Sequence, residues 1–141
     1  MILFEALHLG TPIPQSRARY SDRGRGVYHA PRANNYRRQI TTTLCLAAGV
    51  DFEKIEKPVS VSIKISGARS CSDTDNHAKM VLDALQNANI LADDSMRIVC
   101  RLVVEVWVAP GPCTSVTVED YDGIPPQPKH KRRLKKKKEE D

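Results

Sequence analysis

Asp73 and Asp75 stand two residues apart at the head of the segment DTDNHAKMVLDALQNANILADD, Lys79 follows one helical turn later, and Asp93 and Asp94 close it. Carboxylates gathered at the ends of one short segment repel each other unless a cation lies between them. A hard divalent ion with oxygen ligands is the usual solution. Asp75, Lys79 and Asp83 are each four residues apart, so on a helix they form one stripe. Read blandly, that stripe is a surface ion ladder worth a few tenths of a kcal/mol per pair. Read chemically, it sets an ammonium beside metal-binding carboxylates, where it can hold a phosphate. Lys79 fits the second role, and Asp83 fits a structural one.

Each of these residues has an alternative use. Asp before an apolar run caps a helix and favours its dipole. Capping leaves the downstream pair unexplained, together with the polar approach from Ala68 to Ser72, the kind of irregular stretch where sites tend to lie. Asp93 and Asp94 read as a polar turn before a strand, or as ligands held rigidly by the sheet; spacing does not separate the two. Cys71, Asp73, Asp75 and His77 alternate at spacing two, but structural zinc prefers paired Cys or His ligands on two arms, and no second arm is visible. The other cysteines, Cys45, Cys100 and Cys113, form no CxxC pair and read as small apolar fillers in a reducing compartment.

A second group lies upstream. Arg17, Arg19, Arg23 and Arg25 are interleaved with Tyr20 and Tyr28 in a Pro/Gly/Arg loop spanning 11–31, and Arg37 and Arg38 follow on a helix. Arginine forks pair with phosphates and tyrosine rings stack on exposed bases. Arginine throughout the loop favours phosphate contact over mere solubility, which lysine would serve equally well. Charge is polarised along the chain. The first fifty residues hold seven basic side chains against two acidic, residues 51–128 hold seven against twelve, and residues 129–141 hold eight against three. A basic third and an acidic centre suit a polyanion gripped by one region and cut, with metal assistance, in another.

The elements that must position these residues follow from periodicity. Residues 2–9 read as a strand, and RARYSDRGRGVYHA as a short hairpin turning at Asp22–Gly26. Arg32 to about Ala48 reads as a helix stopped by Gly49, with Tyr36, Ile40, Leu44 and Ala47 near one face and Arg37 and Arg38 off it. In 58–66, Val59, Val61, Ile63 and Ile65 alternate with polar residues, as in a half-buried strand. Ala78, Val81, Leu82 and Leu85 predict a helix from Asp75 to about Ala88. A β-branched strand over 96–108 turns at Pro110–Pro112 into a last strand at 113–119, and these two are expected to pair as an antiparallel hairpin. The order is β-loop-α-β-α-β-β. It predicts an α+β single domain, a mixed or antiparallel sheet with two helices packed on one face, over residues 1–122. Residues 123–141, Pro-rich and then Lys-rich, read as a disordered basic tail that adds DNA affinity without specificity. No apolar run approaches membrane-spanning length, and Met1 leads directly into a strand pattern, so the expectation is a cytoplasmic protein with no membrane partner.

Together these residues resemble the RusA family of Holliday junction resolvases. The family pattern is an acidic residue, a spacer, Asp-Asn, two spacers, Lys, then Asp-Ala-Leu and a closing Asp-Asp. Here it is met by Asp73, Asp75-Asn76, Lys79, Asp83-Ala84-Leu85 and Asp93-Asp94. Pro12, Pro14, Ser16, Arg17, Arg19, Tyr28 and the run Tyr36-Arg37-Arg38 are also similar, so the resemblance spans about residues 5 to 119. Ala18 stands where the family commonly has proline, and the Lys-rich tail lies outside the pattern. The resemblance implies a homodimeric, magnesium-dependent endonuclease, with manganese as a substitute ion and no small-molecule cofactor, that cuts four-way DNA junctions symmetrically in recombination and repair. Such proteins are commonly encoded by phages and prophages. Asp73, Asp75 and Asp94 become the metal ligands and Lys79 the essential base. The rival readings are a non-catalytic nucleic-acid-binding module and a nuclease for flap or branched DNA. A geometric expectation accompanies the dimer. A helix over 75–88 is roughly 20 Å long, which starts Asp94 at the end far from Asp73. Residues 89–94 barely span the return, so the partner's Asp94 is expected to complete the site.

Overall fold

The computed structural model describes residues 1–16 and 31–126, with the backbone alone for 19–20 and 27–28. Its elements in chain order are β1 (Ile2–Leu9), β2 (Arg19–Tyr20), β3 (Val27–Tyr28), α1 (Pro31–Ala48), β4 (Val59–Ser66), α2 (Thr74–Asn87), β5 (Val99–Val106) and β6 (Cys113–Asp120). β2 and β3 pair antiparallel, as the hairpin expectation requires, while its turn at 22–26 lies outside the described residues. The other four strands form one mixed sheet in the order β1-β6-β4-β5, and with the two helices they make an α+β single domain.

Alternation sets the sheet's inner face. Val59, Val61, Ile63 and Ile65 of β4 are buried, and so are Thr114, Val116 and Val118 of β6. Helical spacing supplies the opposing layer. Ala33, Tyr36, Ile40 and Leu44 of α1 join Ala78, Val81, Leu82 and Leu85 of α2 in the same core. Ala47 and Cys45, expected near the apolar side of α1 and as an apolar filler, are both exposed. The helix turns them away once Leu44 has reached the sheet. Two polar contacts fix α1 against the sheet: a buried one, Tyr36 Oη to Thr114 Oγ1 at 3.0 Å, and a partly buried one, His8 Nδ1 to Thr43 Oγ1 at 2.7 Å. Satisfied in this way, these groups cost little to bury and specify one seating of the helix.

The expected hairpin between the last two strands does not form. β5 pairs parallel with β4, and β6 inserts between β4 and β1, antiparallel to both. The reason is the α2 crossover. A helix joining two strands returns the chain to the same end of the sheet, so β4 and β5 run parallel. The segment carrying Pro110–Pro112 then carries the chain past β4 instead of folding it back on β5. It is anchored by Gly10 N–H donating to Pro112 C=O at 3.0 Å. Pro112 also presses on Gly67, where φ is +77° and an added Cβ would lie 2.7 Å from Pro112 Cβ. Only glycine meets both demands, and it is at Gly67 that the chain leaves β4 for the acidic segment.

Candidate active site

The segment from Gly67 to Asp73 is pinned before the helix begins. Ser72 N–H and Oγ both bond Arg69 C=O, at 3.0 and 2.6 Å, and Ser72 Oγ meets His77 Nε2 at 2.8 Å. His77 is 5% exposed, and burial lowers its pKa, which keeps the ring neutral. It therefore holds the approach to the helix. The Cys71–His77 alternation is not a zinc site: Cys71 is exposed while His77 is turned inward onto Ser72.

Asp73 takes the N-cap position of α2 with extended backbone (φ −78°, ψ 131°), yet its side chain makes no capping hydrogen bond. Its Oδ2 accepts instead from Asn76 Nδ2 at 3.3 Å. Asp75, in the first turn, accepts at Oδ1 from Asn76 N–H at 3.0 Å, and both carboxylates are exposed. Capping thus does not account for Asp73. Two carboxylates flank one asparagine at the positive end of a helix, where their charge is favoured.

Asn76 has a second partner. Its carbonyl accepts from Gln15 N–H at 3.0 Å, and Gln15 Oε1 accepts from Arg37 Nη2 at 2.6 Å. One line of hydrogen bonds therefore joins the acidic turn to the basic helix through the Pro12–Gln15 segment. Arg37 Nε is buried with no partner among the described residues. Arg37 and exposed Arg38 line a polar groove with Asn34, Thr41, Thr42 and Asn87. Arg32 and Arg69 flank a second hollow of about 400 Å³, walled by Pro12, Ile13, Pro14 and Ser72. Sequence reasoning passed over Gln15, Arg32, Arg69 and the His77–Ser72 pair. The one signal for Gln15 is its place beside Pro14; Arg69 and Ser72 lie in the polar 68–72 approach and His77 in the spacing-two run, but spacing does not show the Ser72–His77 bond. Arg19 lies in β2, with only its backbone described, and Arg17, Arg23 and Arg25 lie outside the described residues.

The far end of the segment returns to the helix within the same chain. Lys79 Nζ is 3.0 Å from Asp83 Oδ1 and 3.5 Å from Asp94 Oδ2. The reach argument for a partner's Asp94 is therefore corrected. The chain reverses at once in a left-handed cap: Asn89 has φ +57°, Asn89 N–H bonds Gln86 C=O, and Ile90 N–H bonds Leu85 C=O. This is the 6→1, 5→2 pattern that folds a chain back along its own helix. Ile55 N–H to Ile90 C=O and Ala92 N–H to Ile55 C=O then hold the returning strand. The structure also separates the acidic pair. Asp93 Oδ1 accepts from Ser95 N–H at 2.9 Å, a turn contact that lowers its pKa, whereas Asp94 faces Lys79.

The contact with Asp83, with a smaller share from Asp94, raises the Lys79 pKa above its ordinary 10.5. At neutral pH this group is a fixed cation. The carboxylate donors suit a hard divalent ion. Two of the three, Asp73 and Asp75, are exposed and each gives one oxygen to Asn76, and the third is held by Lys79. Among the described residues, no three His, Cys, Asp or Glu side chains are gathered closely enough to hold a metal.

A family model described as endodeoxyribonuclease RusA matches residues 10–119, a span that contains the Pro12–Gln15 segment, α1 and the whole acidic segment. The chain belongs to the RusA endodeoxyribonuclease family. The comparison with curated proteins gave no match. Membership in the RusA family identifies the protein as an endodeoxyribonuclease. Among the described residues, no helix is long and apolar enough to cross a membrane.

Proposed function

We propose that this RusA-family endodeoxyribonuclease is a homodimeric, magnesium-dependent resolvase that nicks four-way DNA junctions in symmetric pairs, in recombination and repair. The observation that carries the site is Asp73: it occupies a helix cap, is exposed, and makes no capping hydrogen bond there. Asp73 and Asp75 would hold the ion, with Asp94 as the third ligand, and Mn²⁺ would substitute for Mg²⁺. When bound, the ion supplies a water of lowered pKa and polarises the scissile phosphate. The chain's own residues do the rest. Lys79, held by Asp83 and Asp94, presents a positive charge to the phosphate one turn from Asp75. Arg37 and Arg38 contact the backbone of a DNA arm, and the Gln15–Asn76 line fixes where that arm lies relative to the carboxylates. The arginines of 17–25 extend the grip.

A nicking assay on four-way junction, flap and duplex DNA, with and without Mg²⁺, tests this reading. Paired nicks on junctions that require the ion are expected. Equal or preferential cutting of flaps would make it a flap nuclease. Binding with no cutting under any metal would make it a non-catalytic module.

A further inference from the structure

β5 is an edge strand of unusual character. Among the described residues, no strand pairs with its outer side. Yet it exposes Leu102 (41%), Val103 (43%) and Val106 (80%), followed by Trp107 and Val108. A free apolar edge invites pairing with another chain unless charge, proline or a covering element blocks it. β5 holds no proline, and among the described residues no helix covers its outer edge; its only charges are Arg101 and Glu105.

Those two charges select the occupant. Trp107 N–H donates to Ile65 C=O, so the odd-numbered residues of β5 point their backbone groups at β4. The backbone groups of Leu102 and Val104 therefore point outward. An antiparallel copy centred on Val103 sets Leu102 against Val104 of the partner subunit as a hydrogen-bonded pair. It also sets Arg101 against Glu105 of the partner subunit, twice, by symmetry. Opposite charges directly across an antiparallel pair are favourable, and like charges are not. Lys64, which lies 3.7 Å from Glu105 within the chain, extends this row with alternating sign. The other edge of the sheet, β1, offers no such match: its only formal charge is Glu5, and α1 packs against it.

We infer that the outer edge of β5 is the self-association surface of this protein, pairing antiparallel with β5 of a second copy about a two-fold axis at Val103. This rests on the homodimer proposed above and names the surface that forms it. Leu102 and Val104 also wall an open groove with Asp75, Ala78, Lys79 and Leu82. The pairing thus makes one eight-stranded sheet with both α2 helices on the same side. Both acidic turns then face the same way, as a two-fold-symmetric substrate requires.

The test is sedimentation of the full chain as wild type, Arg101→Glu, Glu105→Arg and the double exchange. Each single variant replaces two attractive pairs by two repulsive ones, and association weakens roughly ten- to thirty-fold. The double exchange restores it. In a background with Cys45, Cys71 and Cys100 changed to Ser, Val103→Cys crosslinks to its mate on oxidation, since facing non-hydrogen-bonded residues lie within disulfide reach. A dimer insensitive to both single variants overturns the β5 surface and leaves the homodimer standing. A wild-type chain that stays monomeric at every concentration overturns both. A charge-sensitive dimer that Val103→Cys fails to crosslink overturns the register.

Discussion

Replacing Asp73 by Asn separates the chemical role of this residue from a structural one. The side chain makes no capping bond to lose, and Asn ranks with Asp as an N-cap residue. Its side-chain contact with Asn76 Nδ2 at 3.3 Å survives through the amide oxygen. What remains is one negative charge at the positive end of α2, worth about 0.3–1 kcal/mol. For a domain of this size that lowers the melting temperature by roughly 1–4 °C. With a stability of about 5–15 kcal/mol, more than 99% of the molecules stay folded. If Asp73 is a ligand of the catalytic ion, cleavage of a labelled four-way junction falls by at least about a hundredfold. Junction binding by gel shift holds, because it rests on Arg and Lys contacts. Asp93→Asn is the matched control: its carboxylate serves the Ser95 turn, so it costs stability and spares cleavage. Near-normal cutting by Asp73→Asn, or a loss of cutting that merely follows unfolding, would refute the argument.

Three further outcomes are expected. Gly67→Ala forces a Cβ within 2.7 Å of Pro112 at positive φ, so thermal denaturation should show a loss of roughly 1–3 kcal/mol; an unchanged melting temperature would mean the Pro112 segment yields freely. Burial lowers the pKa of both His8 and His77 from 6.5, so the unfolded chain takes up protons first as pH falls. Stability is complete above that unfolded value and is lost as pH drops below it towards the folded values. Melting temperature should fall between pH 7 and 5, and the His8→Gln/His77→Gln variant should flatten that slope. Arg38→Ala removes one exposed charge beside the polar groove, so its log–log salt dependence of DNA binding should drop by about one unit; an unchanged slope places the DNA elsewhere.

Local periodicity is enough to mark out the helices, the strands and the acidic turn. Alternation in 59–65 and helical spacing in 78–85 each record which side chains face the core, and that information is local. Asp73, Asp75 and Lys79 were legible for the same reason, since one helix end sets their separation. Periodicity does not record which strand lies beside which. The Pro110–Pro112 turn looked like a hairpin, and only packing α2 against the sheet put β5 parallel to β4 and drew β6 into the middle. Nor does spacing foretell a reversal. Asn89 in the left-handed region brought Asp94, and not Asp93, back to Lys79 within one chain. The Gln15 link between Asn76 and Arg37 joins three segments far apart in sequence. Such contacts exist only after the core has closed, because no short window of sequence contains both partners.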